Sequence, residues 1–123
     1  MFRTKITEML GIQYPIVVGT MMHLARAEMV AAASNAGALG VLASANFQTK
    51  EEFRLEIKKL KGMTSKPFAV NLNLFPAMRS IDNREYLEVI CAEGIRIVET
   101  SGHKAPEELA KDLKANGITL IHK

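Results

Sequence analysis

Five short apolar runs punctuate the chain, separated by stretches in which apolar residues recur every three or four positions. The runs Ile16–Gly19, Leu39–Ala43, Phe68–Leu72, Ile95–Glu99 and Ile118–Ile121 are rich in Val, Ile and Leu with scant alternation. That is the pattern of parallel strands covered on both faces. The stretches between them predict helices with recognisable ends. A short amphipathic lead-in reaches Gly11, and the first inter-strand helix covers about Ala25 to Asn35, ending at Gly37. Thr49-Lys-Glu-Glu52 reads as a capping box ahead of a Phe53, Ile57, Leu60 stripe that Gly62 stops. Asp82-Asn-Arg-Glu85 repeats that chemistry before Leu87, Ile90 and Cys91, with Gly94 as the stop. Pro106 opens a last helix at a first-turn position, Leu109 and Leu113 face inward, and Gly117 closes it.

Such regular β–α alternation requires right-handed crossovers and a parallel sheet, so the fold class is α/β. Two architectures fit. One is an open, five-stranded doubly wound sheet. The other is the first half of a (β/α)8 TIM barrel, about five strands and four helices, since a whole barrel takes about 250 residues. A doubly wound domain usually covers its last strand with a helix, and here the chain stops on the strand. The 123 residues are therefore expected to be a single partial domain.

Composition narrows the function classes. The formal net charge is +3, with Lys and Arg interleaved with Glu and Asp along the helices, which reads as solvated faces. With no Trp, two Tyr and five Phe, a base-stacking nucleic-acid platform is not expected. The lone Cys91 excludes an internal disulfide and suits a reducing compartment; on the helix stripe it reads as a small core residue. Met1 to Leu10 carries Arg3, Lys5 and Glu8 with no apolar core, so no signal peptide is visible, and no run approaches a membrane span. A soluble, cytoplasmic protein acting on a small molecule is expected.

Most familiar chemistries fail on residue type. A phosphoryl-accepting receiver needs an acidic pair after strand one and an aspartate after strand three, where this chain has Gly19-Thr-Met-Met22 and Asn71-Leu-Asn73. Gly37-Ala-Leu-Gly40 is not a dinucleotide fingerprint and leads into a strand where a pyrophosphate loop opens a helix, and no Walker lysine loop exists. His23, His103 and His122 each follow a strand end, yet spacing supplies neither a consistent metal ligand set nor supporting carboxylates; exposed loop histidines are the plainer reading. What remains at the strand ends is polar and mostly uncharged: Gly19, Thr20 and Met21; Ser44 and Asn46; Asn71 and Asn73; Thr100, Ser101 and Gly102; with Lys123 as a cation. An isoalloxazine ring asks for such a set. Its carbonyls and ring nitrogens pair with backbone N–H groups and amides, and a cation near N1 stabilises the reduced anion. Loop capping for the asparagines and a solvated end for Lys123 are the plainer alternatives.

Tyr14-Pro-Ile-Val-Val-Gly-Thr-Met21, Ser34-Asn-Ala-Gly-Ala-Leu-Gly40, Pro67-Phe-Ala-Val-Asn-Leu72, Val98-Glu-Thr-Ser-Gly102 and Gly117-Ile-Thr-Leu-Ile-His-Lys123 resemble successive landmarks of the nitronate monooxygenase family, also called 2-nitropropane dioxygenases. The resemblance implies an FMN-dependent (β/α)8 barrel that oxidises alkyl nitronates with dioxygen to carbonyl compounds and nitrite. By position, Gly19, Thr20 and Met21 would lie against the flavin and Asn71 would hydrogen-bond it. Ser101 and Gly102 would line the same mouth, and Lys123 would approach the pyrimidine edge. Thr20 departs from the family's usual glycine or alanine. Flavin-dependent enoyl-acyl-carrier-protein reductases share much of this opening half, and a non-catalytic half-barrel remnant is a third reading.

The resemblance also implies that no catalytic residue lies in these 123 residues. The family's histidine, in a Gly-Gly-His segment, falls beyond the fifth strand, as do the loops that bind phosphate, so weak FMN affinity is expected of the isolated chain. Two unpaired apolar edges, Ile16–Gly19 and Ile118–Ile121, lead to an expectation of self-association.

Overall fold

A computed structural model describes residues 2–76 and 82–123. In chain order the elements are α1 (Lys5–Leu10), β1 (Val17–Val18), α2 (Ala27–Asn35), β2 (Leu39–Ala43), a 3-10 turn (Ser44–Asn46), α3 (Lys50–Met63), β3 (Phe68–Asn73), α4 (Asn83–Ala92), β4 (Ile97–Ser101), α5 (Glu107–Ala115) and β5 (Thr119–His122). The lead-in thus forms a fifth helix beyond the four expected, started by the reciprocal Thr4 and Thr7 cap.

Every strand pairing is parallel and the sheet order is β1-β2-β3-β4-β5. An order that follows the chain means that each right-handed crossover steps the same way, which puts the crossover helices on one face. A doubly wound sheet reverses direction once and has helices on both faces. The architecture is therefore the first part of a barrel wall: five parallel strands with their helices outside.

Strand periodicity divides the core in two. On the helix side, Leu42, Val70, Leu72 and Val98 pack with Ala27, Val30 and Ala31 of α2, Phe53, Ile57 and Leu60 of α3, Tyr86, Val89 and Ile90 of α4, and Leu113 of α5. On the concave side, Leu39, Val41, Ala69 and Ile97 pack with Leu10 and Ile12 at the end of α1, with Ile121 against them. The lead-in helix thereby covers the amino-terminal end of the concave face, leaving the carboxyl end to the polar residues. Helix α2 sits on β2 backbone to backbone. A Cβ at Gly40 would stand 2.4 Å from the Val30 carbonyl oxygen, so only glycine fits there.

Several boundaries differ from the sequence expectation. Strand β4 begins at Ile97 instead of Ile95, because Gly94 turns left-handed (φ 68°) and the Ile95 amide closes α4 by donating to the Ile90 carbonyl at 3.0 Å. The same turn at Ile118, whose amide donates to Leu113, delays β5 to Thr119. Gly62 does not stop α3, which keeps a helical backbone to Met63 and closes with the Thr64 amide on Leu60. The Thr49 cap is one-sided: Thr49 accepts from the Glu52 amide, while the Glu52 carboxylate accepts from the Gln48 amide, one residue before the cap. Pro106 is the residue before α5 and not its first turn. Cys91 is exposed, not core; at about 100° per residue the buried stripe of α4 is Tyr86, Val89 and Ile90, and Cys91 rotates to solvent. Leu87 is half-buried at the edge of that stripe.

Among the described residues no helix is long and apolar enough to cross a membrane.

Two predictions follow from this packing. Gly40→Ala should lower stability by about 1–3 kcal/mol through the clash with α2, measured by denaturant unfolding; an unchanged midpoint contradicts the close approach. Lys59 of α3 donates to the exposed Glu28 carboxylate of α2 and holds it below its ordinary value of 4.5. A lowered folded value stabilises above that pH and is lost as pH falls through it. The small stability difference between the protein and Glu28→Gln should therefore shrink on acidification below about pH 4.5, checked by melting at stepped pH.

Candidate active site at the carboxyl ends of the strands

The register of the central strands decides what meets at the rim. Asn71 lies beside Glu99 and Asn73 beside Ser101, and Glu99 has Ile121 on its other side. With period two, Asn71, Glu99 and Ser101 share the concave face with Ala69 and Ile97, one layer higher. Lys123 extends β5 by donating its amide to the Thr100 carbonyl at 3.0 Å, which returns its side chain to the Ile121 side.

Glu99 is 3% exposed, a carboxylate inside a parallel strand. Burying such a group is unfavourable unless hydrogen bonds and opposite charge compensate it. Its Oε1 accepts from Thr20 Oγ1 at 2.7 Å and Asn71 Nδ2 at 2.8 Å, and Lys123 Nζ lies 3.4 Å away. Asn71 Nδ2 also donates to Ser101 Oγ at 2.9 Å. One oxygen thus gathers groups from the ends of β1, β3 and β5. The Lys123 side chain is 49% exposed against 4% for Glu99, so the cation faces the rim and the anion lies beneath it.

The structure therefore brings together six of the seven residues expected at the site. Thr20, Asn71, Ser101 and Lys123 join through Glu99. Gly19 borders them: a Cβ there would be 3.9 Å from Lys123 Nζ, so no side chain stands between the end of β1 and the ammonium. Gly102 donates its amide to the Lys123 carbonyl at 3.1 Å. Met21 stands apart from the Glu99 bonds. It is exposed, and its carbonyl accepts from the Leu24 and Ala25 amides to turn the chain into α2.

The other strand-end residues serve the loops. Asn46 Oδ1 accepts from the His23 amide at 2.7 Å and Asn46 Nδ2 donates to the Ala25 carbonyl, which holds His23 in a left-handed backbone (φ 66°). Asn73 Oδ1 accepts from the Phe75 amide, and its carbonyl accepts from Asn83 Nδ2. Ser44 is buried. Thr100 faces the helix side and bonds His122 Nδ1 at 2.8 Å, while His103 packs edge-on against Phe75 with ring centroids 4.6 Å apart. The three histidines thus make separate contacts, and among the described residues no group of three His, Cys, Asp or Glu side chains is placed to share a metal ion.

Glu99 is the residue that sequence reasoning missed. Its signal was present, an acidic residue in an apolar run, but a strand expected to end at Glu99 puts that carboxylate in solvent. Two hollows of about 400 and 560 Å³ lie at the opposite, amino-terminal end of the strands, lined among others by Gly11, Pro67 and Ile97. Neither reaches the Glu99 cluster.

A family model described as nitronate monooxygenase matches residues 3–121. An octahydro-indene-carboxyl-CoA dehydrogenase from Mycobacterium tuberculosis is 38% identical over 97% of this chain and 32% of that protein. A probable nitronate monooxygenase from Staphylococcus haemolyticus is 40% identical over 68% of this chain and 23% of its own length. Among solved structures, FabK from Thermotoga maritima superposes with a TM-score of 0.87 at 29% identity, covering 99% of this chain and 37% of FabK. The chain spans about a third of the length of the first curated relatives it matches.

Thr20→Val should destabilise the fold by about 1–3 kcal/mol, since it removes a donor to a buried carboxylate. Chemical denaturation measures this, and an unperturbed midpoint would remove Thr20 from the cluster.

Proposed function

We infer, from the fact that this chain belongs to the nitronate monooxygenase family, that it forms the amino-terminal strands of an FMN-dependent oxidoreductase that converts alkyl nitronates and dioxygen to carbonyl compounds and nitrite. The observation that carries this reading is the convergence of Thr20, Asn71 and Lys123 on one buried oxygen beside Gly19, which sets no side chain against the Lys123 ammonium. That set suits a flavin: a cation for the pyrimidine edge, an amide held in a fixed orientation, and a glycine where a side chain would crowd a flat ring. FMN, when bound, supplies the electron-accepting ring. Lys123 and Asn71 would hold that ring, Ser101 and Gly102 would border it, and the exposed Met21 would offer an apolar contact. The catalytic proton transfer is assigned to none of these residues.

A second reading has support of its own. The relatives aligned over 97% of this chain carry a carboxyl-CoA dehydrogenase name, whereas the nitronate monooxygenase relatives align over shorter stretches. A thioester-directed flavin oxidoreductase is therefore the alternative.

The full-length protein is the material that separates them. With FMN and propyl-2-nitronate, oxygen consumption with stoichiometric nitrite supports the first reading. Turnover of a CoA thioester with NAD(P)H or an artificial electron acceptor, and none with nitronate, moves the assignment to the second. Absence of both activities in a flavin-loaded protein sinks the enzyme reading. We also propose that the single-partner edges β1 and β5 pair between two copies of this 123-residue chain. Light scattering of that chain should then show mass rising with concentration, and a monomer at all concentrations contradicts it.

A further inference from the structure

We propose that Glu99 is a positioning residue that fixes Lys123 and Asn71 at the rim and compensates the Lys123 charge there. In the part that concerns the cofactor, this rests on the flavin reading above. Two neutral donors, Thr20 and Asn71, hydrogen-bond the single oxygen Oε1, and the Lys123 ammonium forms an ion pair with the same oxygen. Among the described residues, Lys123 is therefore the one cation paired with this carboxylate, at 3.4 Å. The carboxylate is almost wholly buried and the ammonium half exposed, so a ligand at the rim meets the positive end of a neutral pair. A lone lysine would present a full charge.

The distinction has chemical weight. Charge near the N1 edge of a flavin sets how readily the ring accepts electrons and anions, and at this separation inside a protein the partner carboxylate cancels much of it. Glu99 also limits where Lys123 can sit. A flexible four-carbon stem carries a compact charge, and only a fixed acceptor gives it a fixed place. Asn71 is similarly constrained, because its Nδ2 is shared between Glu99 and Ser101, which orients the whole amide.

Glu99→Gln isolates the charge, since its amide oxygen can still accept from Thr20 and Asn71 while the ion pair with Lys123 is lost. The test is sulfite binding to the FMN-loaded full-length protein, followed by bleaching of the flavin absorbance. Glu99→Gln should tighten sulfite about tenfold by leaving Lys123 uncompensated. Glu99→Asp, which keeps the anion, should stay within about twofold of the native protein, and Glu99→Gln should have no effect in a Lys123→Met background. Sulfite affinity unchanged in Glu99→Gln, or a tightening that persists without Lys123, overturns the proposal. A flavin-free measurement separates this from the cofactor reading. After reductive 13C-methylation of the apoprotein, the Lys123 resonance should stand apart from those of the exposed lysines, and should move in Glu99→Gln. If the protein takes up no FMN, the flavin reading fails and this resonance decides the Glu99 role. If Glu99→Gln does not fold, the native spectrum decides: coincidence of Lys123 with the exposed lysines overturns the coupling.

Discussion

The pairing of β3 with β4, which sets Asn71 beside Glu99, is the contact on which the rim depends. A slip of one residue would turn Glu99 toward the helix side, into the apolar layer of Val70, Leu72 and Val98. In the register observed, the carboxylate is buried and must be satisfied, and its partners come from distant parts of the chain. Thr20 precedes the whole α2 to β4 segment, and Lys123 follows β5. A single buried anion thus ties the ends of the sheet to its centre. It converts a local pairing rule into a three-dimensional site.

Packing on the other face makes that register affordable. Helices α2 to α5 bury a continuous apolar layer against the outer side of the strands, and α1 with Ile12 fills the lower part of the concave side. The concave face is therefore apolar at the amino end and polar at the carboxyl end. Catalytic and binding groups of barrel enzymes sit at the carboxyl end because strand ends and loop backbones converge there. The loop above β1 shares this bias. His23 sits in a left-handed backbone held by Asn46, a strained conformation of the kind that clusters near ligand sites.

Membership in the nitronate monooxygenase family and the likeness to FabK agree with the parallel barrel wall seen here. Substrate choice is another matter. The rim residues described here are fixed by one another, and the relatives that align over nearly all of this chain carry a different substrate in their names from those that align over part of it. What these strands present at the rim is an amide fixed by two hydrogen bonds, a half-exposed ammonium paired with Glu99, and a glycine beside it.

Periodicity alone gave five parallel strands and the helices between them, because burial on both faces demands apolar runs and burial on one face demands a helical stripe. It placed Leu39–Ala43 to the residue and picked out Phe53, Ile57 and Leu60 as buried. The polar strand ends were also legible, and Thr20, Asn71, Ser101 and Lys123 do meet. Boundaries set by left-handed turns were not, since Ile95 and Ile118 look like strand residues until a helix-closing hydrogen bond claims them. Nor was the face of Cys91, which a shift of one position along α4 carries from core to solvent. Above all, sequence determined the succession of strands and which polar residues lie near their ends, while only the tertiary structure decided that Glu99 is the centre of the rim. Its burial and its three partners depend on the order and stagger of neighbouring strands, and those are fixed by long-range packing that no local pattern encodes.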